Sequence, residues 1–137
     1  MTRGRPDSQE AGGKNHHFRV VQFPFNLGLP EALTHRTQGS TESPRSALVA
    51  AQAAGLTVFT SVPLMQGQLL GRFDRDFKAK FPGLKTDAQR CLQFVRSTPG
   101  VTAALCGMKD LAHLEENAVI CATAPFTPAE FEALIGR

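Results

Sequence analysis

With 137 residues, 42% of them apolar and 20% charged, the chain matches one folded domain with enough material for a core. A net charge of +3 is too small to specify a nucleic-acid partner, and no stretch approaches the ~20 apolar residues of a membrane span. Length alone excludes a complete barrel of eight strand–helix units, which takes about 250 residues. Ten Phe and no Tyr or Trp predict a core of phenylalanine and aliphatic side chains. Cys91, Cys106 and Cys121 form an odd set without Cys-x-x-Cys spacing, which points to a reduced, cytoplasmic setting.

Residues 1–15 are polar, carry Gly4, Pro6, Gly12 and Gly13, and lack periodicity, so they predict a flexible leader with no secretory signal. FRVVQFPFNL then reads as a strand buried on both faces, with pairing expected to stop at Pro24. Residues 28–43 read as a polar loop. Ser43-Pro44 supplies an expected N-cap and first-turn proline for the alanine-rich helix PRSALVAAQAA, which Gly55 closes. LTVFTS is a second strand, followed by a long loop from Val62 to Lys85. In that loop Arg72, Asp74, Arg75, Asp76, Lys78 and Lys80 mix both signs and read as solvated chain rather than a basic patch.

Thr86-Asp-Ala-Gln89 is a capping box opening a helix whose apolar stripe is Ala88, Cys91, Leu92 and Val95, with Arg90 and Arg96 outside it. VTAALCG is a third strand. Leu111, Leu114, Ala118 and Cys121 mark one face of a following helix, and Thr127-Pro-Ala-Glu130 is a second capping box opening a terminal helix through Phe131, Leu134 and Ile135. Strands alternating with helices imply an α/β fold with a parallel sheet.

In such folds chemistry collects where strands lead into helices, here at Gln22–Leu27, Ser61–Gly71 and Cys106–Lys109. Gly107-Met108-Lys109-Asp110 lies between a strand and a helix, where free N–H groups favour phosphate, although Asp110 also reads as a plain N-cap and Lys109 as plain surface. His16-His17 has no spaced carboxylate or cysteine partner, so no metal site is expected. Cys106 reads as an apolar strand residue rather than a nucleophile.

Taken together, RVVQFPFNL, TSVPLMQGQLLG and TPGVTAALCGMKDLAHLEEN resemble the C-terminal part of the aldo-keto reductases, (β/α)8 TIM barrels that use NADPH without a Rossmann fold. The resemblance runs from about His16 to the C-terminus. It implies a partial barrel over 16–137, three parallel βα units plus a C-terminal helix, whose strands match the sixth to eighth of the family. It implies NADP(H) as cofactor. Gln22 matches the glutamine that binds the nicotinamide carboxamide. Ser61 stands where many members stack an aromatic on nicotinamide, and a serine does not stack. Pro63 and Leu64 match the Pro-Leu whose backbone wraps the pyrophosphate. Gly107, Met108 and Lys109 fall on the segment holding the adenosine phosphate. His113 stands where an arginine often meets the 2′-phosphate, which weakens the expectation of NADP over NAD, and Glu116 and Asn117 match the adenine-binding pair.

The family's general acid is a tyrosine on the earlier strands, and this chain contains none. No catalytic residue is therefore assigned, and the chain by itself is expected not to reduce a carbonyl. Three strands of a closed barrel also leave two open edges and an apolar inner face. The leading expectation is an oxidoreductase-family chain from a truncated or alternatively started product. It would take a small-molecule carbonyl substrate only once the barrel is completed. The runner-up is a noncatalytic interaction protein that associates with itself or a relative through those edges, and the third is an independent phosphate-binding module. Nucleic-acid and membrane partners are not expected.

Overall fold

The computed structural model of the chain describes residues 13–136, so most of the expected leader, residues 1–12, lies outside the described residues. Gly13–Asn15 form a turn of 3-10 helix. In chain order the further elements are β1 (Val20–Pro24), α1 (Glu31–Thr34), β2 (Gln38–Ser40), β3 (Ser43–Arg45), α2 (Ala47–Ala53), β4 (Thr57–Ser61), α3 (Arg75–Ala79), α4 (Asp87–Ser97), β5 (Ala103–Ala104), α5 (Leu111–Ala118) and α6 (Pro128–Leu134). β1, β4 and β5 form one parallel sheet in that order, with Gln22 opposite Phe59, Pro24 opposite Ser61 and Thr60 opposite Ala104. This is the strand–helix alternation the sequence predicts, and it is an open part of a (β/α)8 barrel.

The two faces of the sheet differ. Val21, Phe23, Val58 and Ala104 share the face against the helices and join a core of Phe25, Leu48, Phe94, Val95 and Phe131. Phe25 stacks on Phe94, and Phe94 meets Phe131, at centroid distances of 5.7 and 5.5 Å. Val20, Gln22, Pro24, Phe59, Ser61 and Leu105 share the opposite face, where Val20 is 46% and Leu105 43% exposed. The expectation that the first strand is buried on both faces is thus corrected: β1 alternates exposed and half-buried residues because nothing among the described residues covers its second face. Pairing also runs through Pro24. Thr57 N donates to Arg19 O (2.9 Å) and Phe25 N to Ser61 O (3.2 Å), so odd-numbered residues bond to β4 and the Pro24 nitrogen faces the open edge.

The third strand is shorter than VTAALCG predicts. The Thr102 hydroxyl, rather than a backbone carbonyl, accepts the Val58 N–H (3.0 Å), which leaves only Ala103 and Ala104 in regular pairing. Residues 28–43 are not a plain loop, since α1 and a hairpin occupy much of them. Antiparallel β2 and β3 place Gly39 opposite Pro44, and a Cβ on Gly39 (φ 89°) would lie 2.6 Å from Ser43 O. Because the hairpin takes Ser43–Arg45, the N-cap of α2 is Ser46, not Ser43, and its hydroxyl accepts from Val49 N. The charged stretch 72–80 likewise contains α3, capped by Asp74, which accepts from Phe77 N (2.7 Å).

α4 organises the second half of the chain. Both expected capping boxes form, Thr86 with Gln89 and Thr127 with Glu130. The expectation that Arg90 and Arg96 lie outside the packed stripe is corrected, because α4 is buried nearly all round and Arg90 is 8% exposed. Arg90 donates to Leu84 O (2.7 Å) and to Asp87 (2.9 Å). Along the polar side of α4, Gln89 donates to Glu116 O (2.7 Å), Gln93 to Ala124 O (2.7 Å), Arg96 to Ile120 O and Thr123 O, and the Ser97 hydroxyl accepts from Phe126 N. The helix is wrapped by residues 116–126, whose carbonyls its amides and guanidinium satisfy. The consequence of this arrangement appears on α5. Its expected inner face, Leu111, Leu114, Ala118 and Cys121, points outward, with Leu111 66% and Leu114 46% exposed.

Candidate functional site

The three strand ends expected to carry function lie side by side at the carboxyl edge of the sheet. Gln22 is exposed on the uncovered face beside Phe59, and Ser61 lies two residues further along β4 on the same face. Strand spacing and rise put their Cα atoms about 8 Å apart. Beyond Ser61 the chain enters a strained turn: Val62, Met65 and Gln66 have φ of 52°, 49° and 54°. Left-handed geometry costs a non-glycine residue of order 1–3 kcal/mol, and Val62 is both β-branched and followed by proline. Pro63 is buried and Leu64 half-buried within this turn.

Asn26 spans the first two loops, and no motif in the sequence singles it out. It is wholly buried, its Nδ2 donates to Val62 O (2.8 Å), and its Oδ1 accepts from Gly28 N (2.8 Å). Gly28 lies close beneath the second loop, where an added Cβ would sit 3.1 Å from Met65 Sδ. The only local signal is an Asn closing the first strand. Its partner lies 36 residues away, out of reach of any motif.

In the third loop Gly107, Met108 and Lys109 are exposed, and Asp110 caps α5 by accepting from Ala112 N (2.9 Å), the plainer of its two readings. His113, Glu116 and Asn117 share one side of α5, at helical spacing. His113 is exposed and Glu116 half-buried. Asn117 is 5% exposed; its Nδ2 reaches Met108 Sδ (3.3 Å), while its Oδ1 has no partner among the described residues. A buried amide oxygen left unpaired is costly, and with no accessible surface it is closed to an outside donor in this structure. The structure therefore joins Met108 to Asn117 directly and sets the Gln22 and Ser61 pair apart on the sheet face.

No other chemistry gathers here. Among the described residues no group of three His, Cys, Asp or Glu is placed to hold a metal ion, and no helix is long and apolar enough to cross a membrane. The three cysteines are free. Burial pushes the Cys91 thiol up to about 12, and burial also raises that of Cys106, opposing the thiolate a nucleophile needs. A cleft of about 210 Å³ between Phe81, Leu84, Gln93, Ala124, Phe126 and Glu130 includes none of the residues above.

Three parallel strands, helices on one face and an open second face are the fold of part of a (β/α)8 barrel. The matching solved structures include aldo-keto reductase AKR11C1 from Bacillus halodurans. Its holo form superposes with a TM-score of 0.57 at 18% identity, covering 96% of this chain and 46% of that one. Its apo form gives 0.58 at 18% identity, covering 96% and 47%. The chain thus spans a little under half the length of the structures it matches. No protein-family model and no curated protein matches it.

Proposed function

We propose that this chain is the nucleotide-binding side of an NADP(H)-dependent oxidoreductase of the aldo-keto reductase type, without that enzyme's general acid. The observation that carries the reading is the contact of Asn117 Nδ2 with Met108 Sδ (3.3 Å), which brings the segment expected at the adenosine phosphate against the residue expected at the base. Around it, Gly107, Met108 and Lys109 would meet the adenosine phosphate, His113 the 2′-phosphate, and Glu116 with Asn117 the base. Pro63 and Leu64 would offer backbone to the pyrophosphate and Gln22 its amide to the nicotinamide, with Ser61 leaving the ring unstacked. When bound, the cofactor supplies the hydride for a small carbonyl compound. No tyrosine is present to donate the accompanying proton. Supplying the remaining barrel strands, as a fused or separate chain carrying the tyrosine, should give NADPH binding and carbonyl reduction. A completed barrel that binds no NADPH would remove the basis of the reading. The free thiols suit a cytoplasmic setting.

A second reading, a noncatalytic interaction protein, draws on the apolar residues left uncovered: Val20 and Leu105 on the sheet, Leu111, Leu114 and Val119 around α5. It requires association through the open edges. A single monomeric peak across a hundredfold dilution in size-exclusion chromatography would count against it.

A further inference from the structure

The strained turn after β4 has a dedicated support. Val62 is held at φ 52° although a β-branched residue before proline favours extended backbone. Its carbonyl accepts from two donors, Asn26 Nδ2 (2.8 Å) and Met65 N (2.9 Å), and the first of these comes from a wholly buried side chain whose other end is fixed by Gly28 N. Asn26 is itself locked by paired backbone bonds with Leu29, N to O at 3.3 Å and O from N at 3.1 Å. The turn's own bonds, from Gly67 N to Leu64 O, Gln68 N to Met65 O and Leu70 N to Gly67 O, all lie downstream of that anchor and within the loop.

We infer that Asn26 is a positioning residue: its amide holds the Val62 carbonyl, and through it fixes the left-handed course of the Ser61–Gly67 loop against the Gln22–Gly28 loop. This rests on the proposed function only for what the loop would contact. The mechanical coupling stands on the geometry of the two loops. An ionised aspartate at this position keeps an oxygen for Gly28 N and sets a second oxygen, in place of a donor, against Val62 O. Val62→Gly removes the conformational penalty that the bond opposes.

Hydrogen exchange followed by mass spectrometry on the intact chain tests the inference. Asn26→Asp should speed exchange of the Met65, Gly67, Gln68 and Leu70 amides about tenfold, the weight of one lost hydrogen bond, while the α4 amides stay protected. In the Val62→Gly background the same change should have less than a twofold effect. Unchanged loop exchange, an equal rise in α4 and the loop, or an undiminished effect in the Val62→Gly background would each overturn it. In a completed barrel, Asn26→Asp should also weaken NADPH binding. Loop loosening without that weakening leaves the coupling intact and counts against the cofactor reading alone.

Discussion

At the scale of single residues, hydrogen bonds lower one carboxyl and burial raises two thiols. Glu130 accepts from both Thr127 N (2.7 Å) and the Thr127 hydroxyl (2.8 Å), and these two bonds hold its carboxyl below the ordinary value of 4.5. A depressed carboxylate contributes stability that is present above 4.5 and is lost as pH falls through the folded value. Glu130→Gln should therefore lower the melting temperature most at neutral pH and converge with the parent at acid pH, flattening the acid side of the profile, as a pH series of thermal melts will show. The cysteines divide by exposure. In the native protein a thiol reagent should label exposed Cys121 quickly, Cys106 slowly and buried Cys91 only after unfolding. Phe131, 1% exposed and packed against Phe94, should cost about 3–5 kcal/mol when cut to alanine, read from denaturant unfolding.

At the scale of elements, what is local in sequence is what the sequence reveals. Thr86 with Gln89 and Thr127 with Glu130 are legible because cap and partner sit three residues apart, and both boxes form. Ser43-Pro44 carries the same kind of signal and misleads. Ser46 is an equally good cap, and the pairing of Gln38–Ser40 with Ser43–Arg45 decides between them from a distance. The polar side of α4 is the larger case. Gln93 and Arg96 look solvent-facing by spacing, yet each binds carbonyls 24 to 31 residues further on. Replacing Gln93 by alanine leaves Ala124 O without its donor, which should cost about 1–3 kcal/mol and open residues 119–127 to limited proteolysis before the rest of the chain. The site follows the same rule. The strand-end positions of Gln22, Ser61 and the third loop are legible in the sequence, whereas the bond of Asn26 is invisible because its partner lies 36 residues away.

At the scale of the whole molecule, a parallel sheet of three strands stands open, among the described residues, at both edges and on one face. Val20 and Leu105 are exposed apolar residues on the sheet face that a closed barrel would cover, and the chain corresponds to 46–47% of the solved structures it matches. On the proposed reading, β1, β4 and β5 would carry the cofactor side of a barrel and the proton donor would come from other strands. The most direct test is calorimetric titration of NADPH into this chain joined to matching N-terminal barrel strands, with and without Asn117→Ala. Saturable binding, weakened about tenfold or more by the substitution, is the predicted result. A folded, closed barrel that binds no NADPH, or binds it equally well without Asn117, would contradict the account.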